Sequence, residues 1–240
     1  VTKRHSVDST RHLYSDGYFD LLADPGESFS RRYAEHYSAL VRPAKDDRIL
    51  ELGCASGRTT EVFLESGAGV VAVDFDERAC SLTRRRAERF GDAATVICES
   101  ADALENFDGI NKITMLDFVE HVDDDLIRRI LDNMRGRTDA TLYVFTPNWM
   151  HPYEWAQRLH VLAGDPTHIN VKTWHKWIGF FEREGMRIVD VVRAPSHPLA
   201  LARIERPLMK VPVLDRVFVR SVGLAMHFEA GSASAGRRPS

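Results

Sequence analysis

Ile49-Leu50-Glu51-Leu52-Gly53-Cys54-Ala55-Ser56-Gly57-Arg58-Thr59-Thr60, followed by Val70-Val71-Ala72-Val73-Asp74, decides the fold. Ile49, Leu50 and Leu52 form a short apolar run, the pattern of a parallel strand covered on both faces. Gly53 and Gly57 bracket a loop that a ligand can approach at the backbone. Thr59 to Ser66 carries Val62, Phe63 and Leu64 and stops at Gly67, which predicts a short helix. Its free N–H groups and positive dipole end face the loop. Asp74 then closes a second buried strand at the same sheet edge. A carboxylate there suits the two adjacent hydroxyls of a ribose. A strand-end carboxylate of this kind is expected to be exposed and to matter little for stability.

The loop narrows the choice of adenosine cofactor. A dinucleotide fingerprint needs glycine at loop positions one, three and six. Those positions hold Gly53, Ala55 and Arg58, and an arginine at the last obstructs close helix–strand packing. Glu51 also places a negative charge where a pyrophosphate would lie. A cofactor with an ammonium or sulfonium group tolerates that charge better.

Glu51-Leu-Gly53-Cys54-Ala55-Ser-Gly57 resembles the first motif of the class I S-adenosylmethionine-dependent methyltransferases. Val71-Ala-Val-Asp74, with Phe75 after it, resembles their second-strand acidic motif. Glu99-Ser-Ala101-Asp102-Ala103 is similar to the segment that usually contacts adenine. Leu116-Asp117-Phe118-Val119-Glu120-His121-Val122 resembles the fourth-strand motif of small-molecule members, including the ubiquinone-type O-methyltransferases. Thr146-Pro147-Asn148 follows the fifth strand as in many relatives. The motifs run in order from about Asp47 to Val192. The departure is Ala55, where glycine is commoner. The resemblance implies S-adenosylmethionine as cofactor, with S-adenosylhomocysteine as product. It also implies a doubly wound, Rossmann-like α/β sheet of seven strands, the last antiparallel, with helices on both faces.

Bulk properties agree with a globular α/β domain. Hydrophobic residues make up 44% of the 240 and charged residues 28%. The net charge of −3 gives no basic field for nucleic acid or an anionic membrane. No apolar run approaches the ~20 residues of a membrane span, and no secretory signal is apparent. Cys54, Cys80 and Cys98 are odd in number and widely spaced, so neither a disulfide framework nor a zinc pattern is expected. Reduced thiols point to a cytoplasmic setting. A homodimer is compatible with the sequence, which leaves oligomeric state open.

The expected organisation is an N-terminal helical arm over 1–45, a cofactor-binding domain over 46–231 and a disordered tail over 232–240. The arm carries Tyr14, Tyr18, Phe19, Phe29, Tyr33 and Tyr37 and reads either as a lid over the cofactor or as a packing arm. Strands are expected near 48–53, 69–74, 95–98, 112–117, 140–146, 186–192 and 223–228. Helices are expected near 58–66, 77–90 and 124–134, and from Trp174 to Gly185. Asp123 to Asp125 read as helix-capping acids rather than metal ligands. Residues 195–220 read as the connection between the last two strands, with an amphipathic surface element as the alternative.

The site is expected beyond the carboxyl ends of the strands. Cofactor contacts fall to Glu51, Gly53, Cys54, Ala55, Gly57, Asp74, Phe75, Ala101, Asp102, Ala103, Asp117 and Phe118. Asp117 is placed to face the cofactor's amino group and Phe118 to enclose it. His121 is the candidate base for a hydroxyl acceptor, with a supporting hydrogen bond at the start of a helix as the structural alternative. His151 and His168 sit in loops and are further candidates. Their spacing matches no strong metal motif, and no metal is assigned. The leading reading is methyl transfer from S-adenosylmethionine to a hydroxyl of a small molecule: a natural-product, quinone or sugar acceptor. Transfer to a small-molecule amine and a non-catalytic cofactor-binding subunit are the alternatives.

Overall fold

The computed structural model describes residues 36–160, 165–195 and 199–229. The expected lid tyrosines before residue 36 and the expected tail over 232–240 lie outside the described residues. One sheet of seven strands organises the rest, in the order β3-β2-β1-β4-β5-β7-β6. The strands are β1 (Arg48–Leu52), β2 (Gly69–Asp74), β3 (Ala94–Cys98), β4 (Lys112–Leu116), β5 (Thr141–Pro147), β6 (Met186–Ala194) and β7 (Ser221–Phe228). The first five pair in parallel, and β7 runs antiparallel between β5 and β6. Among the described residues, a helical stretch over 36–41 is followed by α1 (Arg58–Glu65), α2 (Glu77–Ala87), α3 (Asp124–Met134), α4 (Pro152–Arg158), α5 (Trp174–Arg183), α6 (Leu199–Leu208) and α7 (Asp215–Phe218).

The strands are apolar on both sides because both faces are covered. Leu50, Leu52 and Val73 pack into one core with Ile127, Ile130 and Leu131 of α3 and Trp177, Phe180 and Phe181 of α5. Ile49, Val70 and Ala72 point the other way, toward Phe63 and Leu64 of α1 and toward Tyr37, Leu40 and Val41. Alternate side chains of one strand thus enter opposite cores. The helix over 36–41 closes the second core.

Element boundaries follow local chemistry. Asp76 caps α2 by accepting from the amides of Arg78 and Ala79. The helix expected to reach residue 90 stops at Ala87 and tightens into a 3₁₀ segment, Glu88–Ala93, in which Gly91 breaks the helical backbone at φ 55°, ψ −130°. Asp123 caps α3 at 2.7 Å from the Leu126 amide, Asp124 pairs with Lys172 and Asp125 with Arg128. Only Asp123 caps the helix; Asp124 holds the segment over 165–172 and Asp125 makes an ion pair within α3. The 195–220 connection folds as α6 and α7, with Ala202 and Met209 buried and Leu201 and Ile204 exposed. β6 lies at the sheet edge; it exposes Arg187, Asp190 and Arg193 and carries a register shift between Ile188 and Asp190.

The strand order reverses between β1 and β4, so a crevice opens beyond their carboxyl ends. The loop after β1 fills one wall. Gly57 has φ 76°, and a Cβ there would sit 2.7 Å from the Thr83 Cα of α2. Gly57 therefore sets the approach of α1 to α2. Ala55 is also left-handed, at φ 47°, which explains why glycine is the commoner residue in this motif. Gly57→Ala should destabilise the fold by about 2 kcal/mol or more, from backbone strain and collision. Ala55→Gly should stabilise it by about 0.5–1 kcal/mol, the relief of a left-handed alanine less the added unfolded-state entropy. Urea midpoints of the two variants check both signs.

Candidate active site

The first half of the site is a clamped carboxylate. Asp74 Oδ2 accepts from the Ala55 amide at 3.0 Å, and Oδ1 from the Asp76 amide at 3.0 Å. Gly53 and Cys54 both donate to the carbonyl of Val73. The loop after β1 is thus stitched to the end of β2. Burial raises the Asp74 pKa to about 6, and the amides of Asp76 and Ala55 pull against it. The carboxylate is clamped rather than freely exposed, contrary to the expectation for a strand end. The amide of Phe75 also donates to this carboxylate, whose two oxygens keep capacity for a hydroxyl donor.

Glu51 departs from its expected role as a fixed charge. It is buried, receives the Thr60 hydroxyl at 2.5 Å, and is pushed up to about 8, first by burial. Without a cation beside it, it rests protonated at neutral pH. Burial likewise raises the Cys54 thiol. Phe118 completes this wall: a Cβ on Gly53 would lie 2.6 Å from its Cδ2. The cradle therefore needs glycine at 53 and is closed by an aromatic ring. Ala101–Ala103 form a 3₁₀ turn after β3, where Arg129 binds Asp102 at 2.8 Å. Against the cost of burial, hydrogen bonds from Ser100 and Arg129 hold Asp102 below the usual carboxylate range.

The second half of the site lies beyond β4. Asp117 adopts φ 47° and donates its amide to the Phe145 carbonyl at 2.8 Å. Its carboxyl is buried and receives the Tyr37 hydroxyl, so the end of the N-terminal arm reaches the site. Glu120 is fully buried and accepts from Thr146 at 3.0 Å through Oε2. Its Oε1 has no donor among the described residues, and it stands against the Asp117 carboxyl. Burial, then the neighbouring Asp117, holds Glu120 well above the carboxylate range. One shared proton satisfies such a pair.

His121 and His168 meet edge to face, with ring centroids 4.8 Å apart. Burial, then His168, lowers the His121 pKa to about 4, so its ring is neutral in the physiological range. Thr167 Oγ1 bonds His121 Nδ1 at 2.8 Å and donates to Asp165 Oδ1 at 2.5 Å. Glu120, His121 and His168 bring three possible ligand atoms within 4.8 Å of one another. His151 is placed differently. Its Nδ1 accepts from the Tyr153 amide at 3.1 Å and its Nε2 bonds Glu205 of α6 at 3.0 Å. It caps α4 and ties it to α6.

Sequence reasoning placed His121 and His168 but not their partners. Asp165 and Thr167 were missed because their roles depend on long-range contacts, and Tyr37 was named only among the aromatic residues of the arm. Glu120 was quoted only as part of a motif; its position beside a histidine after a buried strand was the available signal.

Comparison with known proteins agrees with this geometry. Residues 49–139 match the family model described as a methyltransferase domain. Over 75 residues the chain is 31% identical to a probable cobalt-precorrin-6B C(15)-methyltransferase (decarboxylating) of Saccharolobus solfataricus, covering 30% of this chain and 38% of that protein. It is 24% identical over 165 residues to the ubiquinone biosynthesis O-methyltransferase of Coxiella burnetii, covering 65% and 70%. The chain thus spans well under half of the first relative and about two thirds of the second. The N-methyltransferase NodS of Bradyrhizobium japonicum, crystallised with S-adenosylhomocysteine, superposes with a TM-score of 0.60 at 15% identity, covering 93% of this chain and 98% of that one. Residues 49–139 are thus similar to a methyltransferase domain, and the fold is the one that NodS has.

Proposed function

We propose that this protein transfers a methyl group from S-adenosylmethionine to a hydroxyl of a small molecule. One observation carries the reading. Phe118, which closes the glycine cradle after β1, lies in the same short segment as Asp117, Glu120 and His121. The end of β4 therefore joins a cofactor wall to a buried group of proton-handling side chains. The O-methyltransferase relative, aligned over 65% of this chain, supports oxygen as the acceptor. Free Cys54, Cys80 and Cys98 support a cytoplasmic setting.

Bound in this cradle, the cofactor supplies an electrophilic sulfonium methyl. Asp74 holds the ribose hydroxyls, and the Ala55 and Asp76 amides fix its orientation. Phe118 excludes water from the wall beside Gly53. Asp117, Glu120, His121 and His168 orient the acceptor and take part in removing its proton. Alignment and desolvation supply much of the rate in a direct displacement, and a positioned proton acceptor adds ~10²–10⁴-fold.

Asp74→Asn should weaken S-adenosylhomocysteine binding by about 1.5–3 kcal/mol, the range for hydrogen bonds to a charged group. The sign of the pH dependence follows from the raised pKa. The ionised carboxylate accepts the ribose hydroxyls, so wild-type affinity should hold above pH 6 and fall below it, by up to about tenfold per unit. Asp74→Asn should lose this dependence. Calorimetry between pH 5 and 7.5 tests both points, and a wild-type affinity that rises on acidification would remove Asp74 from the ribose site.

Acceptor chemistry is tested by transfer of isotopic methyl into candidate hydroxyl and amine compounds. His121→Ala should keep cofactor affinity yet lose ~10²–10⁴-fold in turnover on a hydroxyl. Transfer confined to amines, with a much smaller loss in the variant, would replace oxygen by nitrogen. Absence of transfer to any acceptor would favour a non-catalytic cofactor-binding subunit.

A further inference from the structure

We propose that α6 and the turn after it form a docking surface for an anionic lipid membrane, on which the protein adsorbs without spanning it. The surface belongs to the connection from β6 to β7. β6 ends at Ala194 and β7 starts at Ser221, which pair in register, and Ser221 also pairs with Pro147 at the carboxyl end of β5. Two residues just beyond β5 hold the connection in place. The Asn148 side-chain amide donates to the carbonyls of Arg216 and Val219, and His151 bonds Glu205. The connection therefore stands at the sheet edge where the crevice opens.

The inner side of α6 is set by Ala202, Glu205 and Met209, which are buried at i, i+3, i+7 spacing. Aliphatic and cationic side chains share what remains outside. Leu201 is 48% exposed and Ile204 62%, and in the turn that follows Val211 is 45% and Val213 68% exposed. Arg203, Arg206 and Lys210 are exposed among them. The acids of the stretch do not offset these cations, since Glu205 is buried against His151 and Asp215 pairs with Arg193. The whole chain has a net charge of −3, so the stretch is a local cationic patch on an acidic molecule.

Val213 has φ 77°, a backbone that a β-branched residue adopts only under strain. Glycine or asparagine would relieve it. An aliphatic side chain at such a turn gains free energy only where something apolar buries it.

Charge complementarity selects the occupant. A second copy meeting this face about a twofold axis would set the three cations against their equivalents. An anionic bilayer takes both kinds of group: the aliphatic side chains enter the acyl boundary, and the long cationic ones reach the headgroups. No helix among the described residues is long and apolar enough to cross a membrane, which fits adsorption at the surface. Nothing in this surface depends on the methyl-transfer chemistry.

The test is cosedimentation of the full chain with vesicles of mixed phosphatidylglycerol and phosphatidylcholine, and with vesicles of phosphatidylcholine alone. Binding to the mixed vesicles should exceed binding to the neutral ones by about tenfold or more and should fall at high salt. Arg203→Gln combined with Arg206→Gln should weaken it by about 25-fold at low salt, from about fivefold per cation near the surface. Ile204→Ser should weaken it by about tenfold, and Val213→Gly by about threefold to tenfold. Val213→Gly relieves the turn, so this variant stays folded and remains decisive if another does not; circular dichroism checks each. Wild type that binds neither vesicle, or binds both equally, overturns the proposal, as do variants that bind like wild type. Self-association of the wild type that Val213→Gly abolishes would assign the surface to a second copy and overturn it. Binding to polyglutamate in place of vesicles would assign it to an acidic polypeptide and overturn it as well.

Discussion

The hydrogen bonds from the amides of Ala55 and Asp76 to one carboxylate are the constraint on which the site depends. Parallel pairing of β1 with β2 brings the two chain segments to one edge, but strand pairing ends at Leu52 and Val73. Beyond that point, Asp74 holds the loop to the second strand and orients the start of α2. The backbone of the loop accepts strain in return: Gly53, Ala55 and Gly57 all have positive φ. The loop after β1 is shaped largely by main-chain groups, which explains why a short motif defines it so well. Its side chains contribute mainly by being small.

The other half of the site depends on burial of charge. Asp117, Glu120 and His121 follow one another at the end of β4, where neighbouring strands and the segment over 165–172 cover them. Asn170 donates its amide to the Glu120 carbonyl and its side chain to the Val122 carbonyl. Lys172 binds Asp124, so the incoming segment is tied to the cap of α3. This brings His168 against His121 and seats Thr167 behind it. Buried polar groups of this kind are costly unless each finds a partner. The Thr167–His121 bond supplies one such partner across 46 residues of chain.

The fold was legible because its determinants are local and periodic. Apolar runs ended by glycine or aspartate marked β1, β2 and α1, and the stripe of Leu126, Ile127, Ile130, Leu131 and Met134 marked α3 over its observed span. The end of α2 was harder to read, because Arg84, Arg85 and Arg86 continue a helical composition and Gly91 alone carries the break. The turn after β1 was legible for the same local reason. The charge state of Glu51 was not, since burial and the Thr60 hydroxyl decide it. The histidines were visible as residues, but their division of labour was not. His151 caps a helix and His121 faces His168, and neither pairing has a sequence spacing that announces it.

The sheet also ends in a way that matters for the life of the molecule in a crowded solution. β6 is an open edge with Val189 and Val191 exposed, the composition that invites a foreign strand to add on. Three features oppose this. Arg187, Asp190 and Arg193 stud the edge with charge, the irregularity between Ile188 and Asp190 interrupts the ladder a visitor would need, and Arg193 reaches back to Asp215 of α7 at 3.3 Å. A seven-stranded sheet must stop somewhere, and here it stops at a strand that is a poor template for an eighth. The crevice beyond the carboxyl ends of β1 and β4 and the charged, irregular edge at β6 are thus separate features of one sheet.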